Sequence, residues 1–410
     1  MYRRSYGNTL ERLRIAVLSK HDLSTLGPGD KLHTHDKIMA LAKQTQVILF
    51  TPYNYASGDM QSHMKIIQFS PPGPRFALTL TVALFAHRKD YDCIYTRDPL
   101  LIALAVPLKA FGKAMIIEMN GIPSLETEIR RRTRKVRAPS LTPLICGLMR
   151  MAETIAIRSA DMVLPVTKKM RMTIIRDYKA NPRRVIVVPN SVDTTVFRPL
   201  EDKRVEIRSA LGIEGETVVL YLGTFSDRWR GSEQLFQIAE AIQRKRTDVV
   251  FLVVGSGPLL AEMKVKAKSV NSNKVLFVGA VDHRNVPLYI NAADMYVYDA
   301  IQVPTRLVEK QGSCPTKILE AMSCGRPVIA PGLPDLEDIL RESKGAFSVS
   351  SVNEVELSIE RLANAPELAR SMGAEARRYV KLTHDLTRLT RSTVDLISEV
   401  LSSREVKPGG

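Results

Sequence analysis

The chain has 410 residues, 45% of them hydrophobic and 25% charged, the proportions of a soluble globular protein large enough for two or three domains. Its longest apolar stretch, at 100–108, is broken by Pro107 and falls far short of the ~20 residues a membrane span needs, and the N-terminus lacks the apolar core of a secretory signal. The four cysteines, Cys93, Cys146, Cys314 and Cys324, have no metal-ligand spacing, so a reducing, cytoplasmic compartment is expected.

The net charge of +16 is uneven. Residues 1–200 carry 31 Lys/Arg against 15 Asp/Glu, whereas residues 201–410 carry 28 of each. The whole excess belongs to the first half. An acidic partner is expected there: an anionic membrane surface, a phosphorylated acceptor or nucleic acid.

Taken in chain order, apolar runs predict strands at 13–18, 47–51, 66–69, 91–95, 114–118, 162–166 and 185–188. Helical patterns lie between them, at 76–87 and 99–111 among others. A glycine-bearing loop at 27–30 precedes the first helix, which runs to residue 41. The second half repeats the style, with strands at 217–222, 249–254, 275–278, 295–298 and 328–330. Such alternation predicts parallel sheets covered on both faces. The charged, turn-like segment 199–208 suggests a domain boundary near 200. The domains expected are 1–199 and 200–380, with a C-terminal helix at 381–410. The tail reads as helical from 354 to 402.

One segment carries the most chemistry. In Gly312–Ala330, a loop leads into a short helix and a buried strand. Thr316, Lys317 and Glu320 fall at i, i+1 and i+4, so they share one helix face. Pro315 suits a helix start and Gly325 a left-handed helix end. A positive helix N-terminus beside a lysine suits a phosphate, and a carboxylate one turn on suits a pair of ribose hydroxyls. The bland alternative is a surface helix with a solvated Lys–Glu pair.

This segment resembles the signature helix of the retaining family 4 glycosyltransferases, which have the GT-B fold. Their pattern is E-x7-E within E-G-x-P-x-K-x-x-E-A-M-A-x-G-x-P-V. Glu320 is the second acid; the first falls on Gly312. The run Val187-Val-Pro-Asn190-Ser-Val-Asp193-Thr-Thr-Val-Phe197-Arg-Pro199 matches the family's V-P-N-G-V-D-x-x-x-F-x-P, with Ser191 for Gly. Asn190 and Asp193 in it read as structural, bonding nearby backbone at a hinge turn.

The resemblance implies two Rossmann-like, doubly wound α/β domains facing across a cleft. The second would bind a nucleotide-diphosphate sugar and the first an acceptor. Gly223, Thr224 and Arg230 would meet the diphosphate in a strand–loop–helix turn. Thr224 stands where the family usually has a second basic residue. Gly255 and Gly257 belong to the family's G-x-G-P loop, and backbone around Val281 to its base-binding loop. Pro315, Thr316, Lys317 and Glu320 would hold diphosphate and ribose, and Gly29 would lie near the phosphates. Asn120 replaces the histidine of the family's E-x-H-G. It can hydrogen-bond but cannot shuttle a proton, so the catalytic set implied is Arg230, Lys317 and Asn120. Arg97 and Glu118 are candidates for acceptor contacts, with buried ion pairing an equal account. Asp90-Tyr91-Asp92 spells the D-x-D of another glycosyltransferase fold, but it precedes a strand and reads as a turn. Neither a catalytic metal nor a cofactor is expected.

Arg130, Arg131, Arg132, Arg134, Lys135 and Arg137 form a basic run. Beside it, Leu141, Leu144, Ile145, Leu148, Met149 and Ala152 recur at helical spacing. Basic charge next to an amphipathic stretch suits an anionic membrane. The bland reading is a solvated loop and a core-packed helix. Nucleic acid is the weaker partner, because no aromatics interleave and no recognition motif appears. The function expected is transfer of a sugar to a lipid or lipid-linked glycan, at the cytoplasmic face of a membrane. The alternatives are a GT-B sugar-nucleotide epimerase and a non-catalytic nucleotide-binding scaffold.

Overall fold

The computed structural model describes residues 13–22, 30–53, 59–71, 73, 75–133, 142–225, 234–269, 274–298 and 305–405. Two compact units result. One comprises Met1–Pro189 with Leu386–Gly410, the other Asn190–Asp385. The division falls at Pro189, ahead of the charged segment near 200, because Val192 and Phe197 are buried in the core of the second unit.

The first unit holds strands β1 (Arg14–Leu18), β2 (Gln46–Thr51), β3 (Lys65–Gln68), β4 (Cys93–Thr96), β5 (Ala114–Met119) and β6 (Met162–Pro165). They form one sheet in the order β3-β2-β1-β4-β5-β6, each neighbouring pair parallel. β4 and β5 are buried at every position, as expected of strands covered on both faces. The run 185–188 is not a seventh strand. It makes a single bridge, Val163 to Val185, and the Ile186 and Val188 amides donate to β6 carbonyls. The helix expected at 99–111 is an α-helix, Pro99–Ala105, followed by a 3-10 turn, Val106–Phe111. Pro107 has no amide hydrogen to continue the α-helical ladder.

A buried charged network braces this unit. Glu118, next to last in β5, is 6% exposed. Its Oε2 accepts from the Tyr95 hydroxyl at 2.5 Å and lies 3.7 Å from Lys37 Nζ, and its Oε1 lies 3.0 Å from Arg97 Nε. Lys37 Nζ also donates to Thr393 Oγ1 at 3.1 Å, and Arg97 donates to Thr34 Oγ1 at 2.9 Å. Thr393 lies on the terminal helix Leu386–Glu405, whose Val394 and Ile397 are buried in the same core. Burial alone would raise the Glu118 carboxyl. The Lys37 and Arg97 charges and the Tyr95 hydroxyl outweigh it and hold the group below the usual carboxylate range.

The second unit holds β7 (Thr217–Thr224), β8 (Val249–Ser256), β9 (Val275–Gly279), β10 (Met295–Val297), β11 (Val328–Pro331) and β12 (Ala346–Val349). Their order, β12-β11-β10-β7-β8-β9, is again wholly parallel. Alternate residues of β8 enter two cores: Val250, Leu252 and Val254 on one face, Val249, Phe251 and Val253 on the other. In order of appearance both sheets run 3-2-1-4-5-6, the doubly wound arrangement.

The segment read as a turn at 199–208 is instead the helix Glu201–Leu211, closed by Gly212 at φ 66°. Arg204 and Arg208 on this helix reach the Asp294 carboxylate at 2.5 and 2.9 Å, and Asp294 Oδ2 accepts from the Val218 amide at 2.7 Å. Asp294 therefore ties that helix to the start of β7.

Gly255 has φ 134°, and a Cβ built on it would collide with the Gly223 carbonyl oxygen; one on Gly257, at φ 156°, would collide with the Phe225 backbone. Gly279 has φ 89° but open space around it. Gly255→Ala should therefore cost about 3 kcal/mol or more in stability, and Gly279→Ala only about 1–2 kcal/mol from backbone conformation. Denaturant titration of the two variants checks the difference. In the first unit, the folded-state value of Glu118 lies below its unfolded one. Its stabilisation is present above about pH 4.3 and is lost as pH falls through the folded value. Glu118→Gln should lower the thermal midpoint at pH 7 and flatten the acid side of the midpoint–pH curve, followed by circular dichroism.

Candidate functional site

In the second sheet the strand order reverses between β7 and β10, and the crevice beyond the carboxyl ends at such a point is where ligands of this architecture bind. Gly223 and Thr224 end β7, half-buried, paired in register with Gly255 and Ser256 of β8. The helix Thr316–Ser323 lies between β10 and β11 in the chain. Its N-cap is Pro315, in extended conformation and without a side-chain cap. A helix start of this kind presents backbone N–H groups outward. Pro315, Thr316 and Lys317 are half-buried there, while Glu320 is 2% exposed. The rest of the helix packs: Ile318, Leu319, Ala321 and Met322 enter the core, and the Ser323 hydroxyl donates to the Phe197 carbonyl at 2.5 Å. Gly325 follows at φ 73°.

Gly312 has φ 65°, and its amide donates to the Val308 carbonyl at 2.8 Å, closing the helix Thr305–Gln311. The position where the family pattern has its first acid is thus a left-handed helix cap, a conformation costly to a side-chain-bearing residue.

Sequence reasoning missed His283. Asp282 caps a 3-10 turn, His283–Asn285, its Oδ1 accepting from the Arg284 amide at 2.9 Å. Hydrogen bonds from Arg284 hold the Asp282 carboxyl down at about 2. The turn sets His283 Nε2 3.4 Å from Glu320 Oε1. The signal in the sequence was a histidine at the edge of the expected base-binding loop. Val281 in that loop is half-buried against the core. Asn190 also does more than fix a turn, because its amide donates to the Cys314 carbonyl at 2.8 Å and so pins the loop leading to Pro315. Asp193 does bond nearby backbone, accepting from the Thr195 amide at 2.9 Å.

In the first unit, Asn120 follows β5 at its carboxyl end and is exposed. Arg97 and Glu118 are engaged in the buried network. Asp90 pairs with Lys65 at 3.0 Å and Asp92 with Arg14 at 2.6 Å, both ahead of β4. Among the described residues, no group of three or more His, Cys, Asp or Glu is gathered as a metal site, and no helix is long and apolar enough to cross a membrane. The helix Thr142–Ser159 turns Leu144, Ile145, Leu148, Met151 and Ile155 outward, 44–60% exposed. The expected stripe is thus on the surface, shifted from Met149 and Ala152, which are half-buried. Gly29, Arg230, Arg134, Lys135 and Arg137 lie outside the described residues, as do the side chains of Arg130, Arg131 and Arg132.

Sequence profiles of known families match both units: Glycosyltransferase Family 4 over residues 31–196, and Glycosyl transferases group 1 over 203–379. Among curated relatives, the chain is 25% identical to the alpha-D-kanosaminyltransferase of Streptomyces kanamyceticus, over 56% of this chain and 58% of that one. It is 31% identical to the alpha-monoglucosyldiacylglycerol synthase of Streptococcus pneumoniae, over 41% of this chain and 37% of that one. Each match thus spans less than two thirds of the relative's own length. A solved structure of the Anabaena protein HepE in complex with UDP-glucose superimposes with a TM-score of 0.71 at 18% identity, over 95% of this chain and 100% of that one. The two profiles and the two doubly wound sheets show that the chain belongs to the family 4 glycosyltransferases of the GT-B fold.

Proposed function

We propose that this protein transfers a sugar from a UDP-sugar to a lipid or lipid-linked glycan, while resting on the cytoplasmic face of an anionic membrane. The observation that carries the acceptor reading is the outward apolar stripe of Leu144, Leu148, Met151 and Ile155. Exposed aliphatic side chains along a helix mark a surface meant to be covered. The segment just before this helix is the basic run 130–137, and their combination suits an anionic bilayer. The diacylglycerol synthase among the relatives, named for a lipid product, supports the same reading. The HepE complex supports uridine as the base.

In this reading the donor diphosphate lies at the start of the 316–323 helix, with Thr316 and Lys317 beside it, and Glu320 takes the ribose hydroxyls. Gly223 and Thr224 line the phosphates, and Arg230 supplies a second cation. As the bond from the anomeric carbon to the diphosphate breaks, negative charge grows on the leaving oxygen. Fixed cations and helix-start N–H groups stabilise that charge without a metal. The acceptor oxygen enters on the same face and its proton passes to the departing phosphate. Asn120 can orient the acceptor by hydrogen bonding but cannot take that proton.

Incubation with labelled UDP-sugars and a membrane extract should place label in the lipid phase. Isomerised donor would favour an epimerase, and binding without turnover a scaffold. Glu320→Ala should weaken UDP binding about tenfold or more in calorimetry; unchanged affinity removes it from the site. Leu148→Asp with Met151→Asp should reduce cosedimentation with phosphatidylglycerol vesicles at least about tenfold. Equal binding by variant and wild type would remove the membrane face.

A further inference from the structure

We propose that His283 is a positioning residue: it holds the Glu320 carboxylate in the orientation that accepts both hydroxyls of the donor's ribose. The inference rests on the reading of Glu320 as the ribose ligand.

A carboxylate buried as deeply as Glu320 requires donors whose own positions are fixed. The terminal torsion of a glutamate is broad, so the backbone alone does not orient its oxygens. His283 Nε2 meets Oε1 at 3.4 Å, longer than the roughly 2.7–2.9 Å of a tight charge-assisted bond. The contact gives one carboxylate oxygen a fixed neighbour. Two carboxylate oxygens offer about four acceptor positions. A vicinal pair of hydroxyls takes one position on each oxygen, so the orientation of the carboxylate decides whether both can be met.

The imidazole is itself held from behind. The Phe197 ring packs against it, centroids 5.3 Å apart and planes tilted by 60°. Phe197 is 3% exposed, and its carbonyl accepts from the hydroxyl of Ser323, three residues beyond Glu320 on the same helix. Asp282 fixes the turn on the other side. Glu320, His283, Phe197 and Ser323 are thus linked by successive contacts, with the imidazole seated against a buried phenylalanine. Phe197 gives the family's linker motif a place in the donor site.

The test compares UDP with 2′,3′-dideoxyuridine diphosphate by calorimetry, on wild type and on Glu320→Ala, His283→Phe and His283→Gln. His283→Phe keeps a ring against Phe197 and removes the nitrogen. It should weaken UDP about tenfold while leaving the dideoxy nucleotide within about twofold, because only the ribose contact is lost. His283→Gln, which restores an N–H, should recover part of the loss and serves if the phenylalanine variant folds poorly. Glu320→Ala should erase the preference for UDP over its dideoxy form. If Glu320→Ala does so but both His283 variants bind like wild type, or lose both nucleotides equally, the positioning role is overturned and the ribose reading stands. If wild type fails to bind UDP or to discriminate, or Glu320→Ala keeps the discrimination, the ribose reading falls and takes the proposal with it.

Discussion

Parallel pairing throughout both sheets is the constraint from which the candidate site follows. Parallel strands must be joined by crossovers, so the carboxyl ends of β7, β8 and β9 all meet one edge of their sheet. The reversal of order at β7 and β10 parts the crossovers and opens that edge. The same constraint crowds the backbone there. Gly223 and Gly255 lie side by side in register, so near that the second position admits no side chain. Gly255 and Gly257 are accounted for by this approach of β8 to the chain after β7. A G-x-G-P loop is then first a packing device, and any phosphate contact it makes is additional.

Two buried carboxylates are held by different partners. Glu118 and Glu320 are 6% and 2% exposed. Glu118 faces a lysine, an arginine and a tyrosine hydroxyl, and its stabilised charge is spent on joining β5, helix Asp30–Ala42 and the terminal helix. Breaking such a network costs about 3–5 kcal/mol, and that role accounts for Arg97 and Glu118 without an acceptor. Glu320 faces an imidazole at longer range, at the edge where ligands bind.

Much of the fold was legible because buried parallel strands are continuous apolar runs, and all but one of the predicted strands pair in the sheets. The exceptions have physical causes. The 185–188 run is as apolar as a strand but lies at the β6 edge with one bridge. β12 went unread because Ala346-Phe-Ser-Val349 is short and only Val349 is fully buried. The helix 201–211 has no fully buried residue and only Ile207 and Leu211 packed against the core, too thin an apolar period to read; Arg204 and Arg208 anchor the same face through Asp294. Thr316, Lys317 and Glu320 do lie on one helix, as their spacing predicts. His283 was not readable, since its pairing with Glu320 joins loops 37 residues apart. No periodicity encodes a contact of that kind.

The linker motif shows why conspicuous local chemistry and actual load can differ. Asp193 bonds its own turn, as its type suggests. Asn190 spends its amide on the carbonyl of Cys314, the residue before Pro315, and its own carbonyl accepts from His384 Nδ1 at 2.8 Å. His384 is buried, and that burial pushes its imidazole below the ordinary histidine value, so it serves as a neutral donor. Phe197, a few residues on, closes against His283. One short segment therefore braces the 316–323 helix at its entry through Asn190, and at its far end through the Ser323 bond to Phe197. A change in the linker should be felt at Glu320 without any linker residue touching the donor.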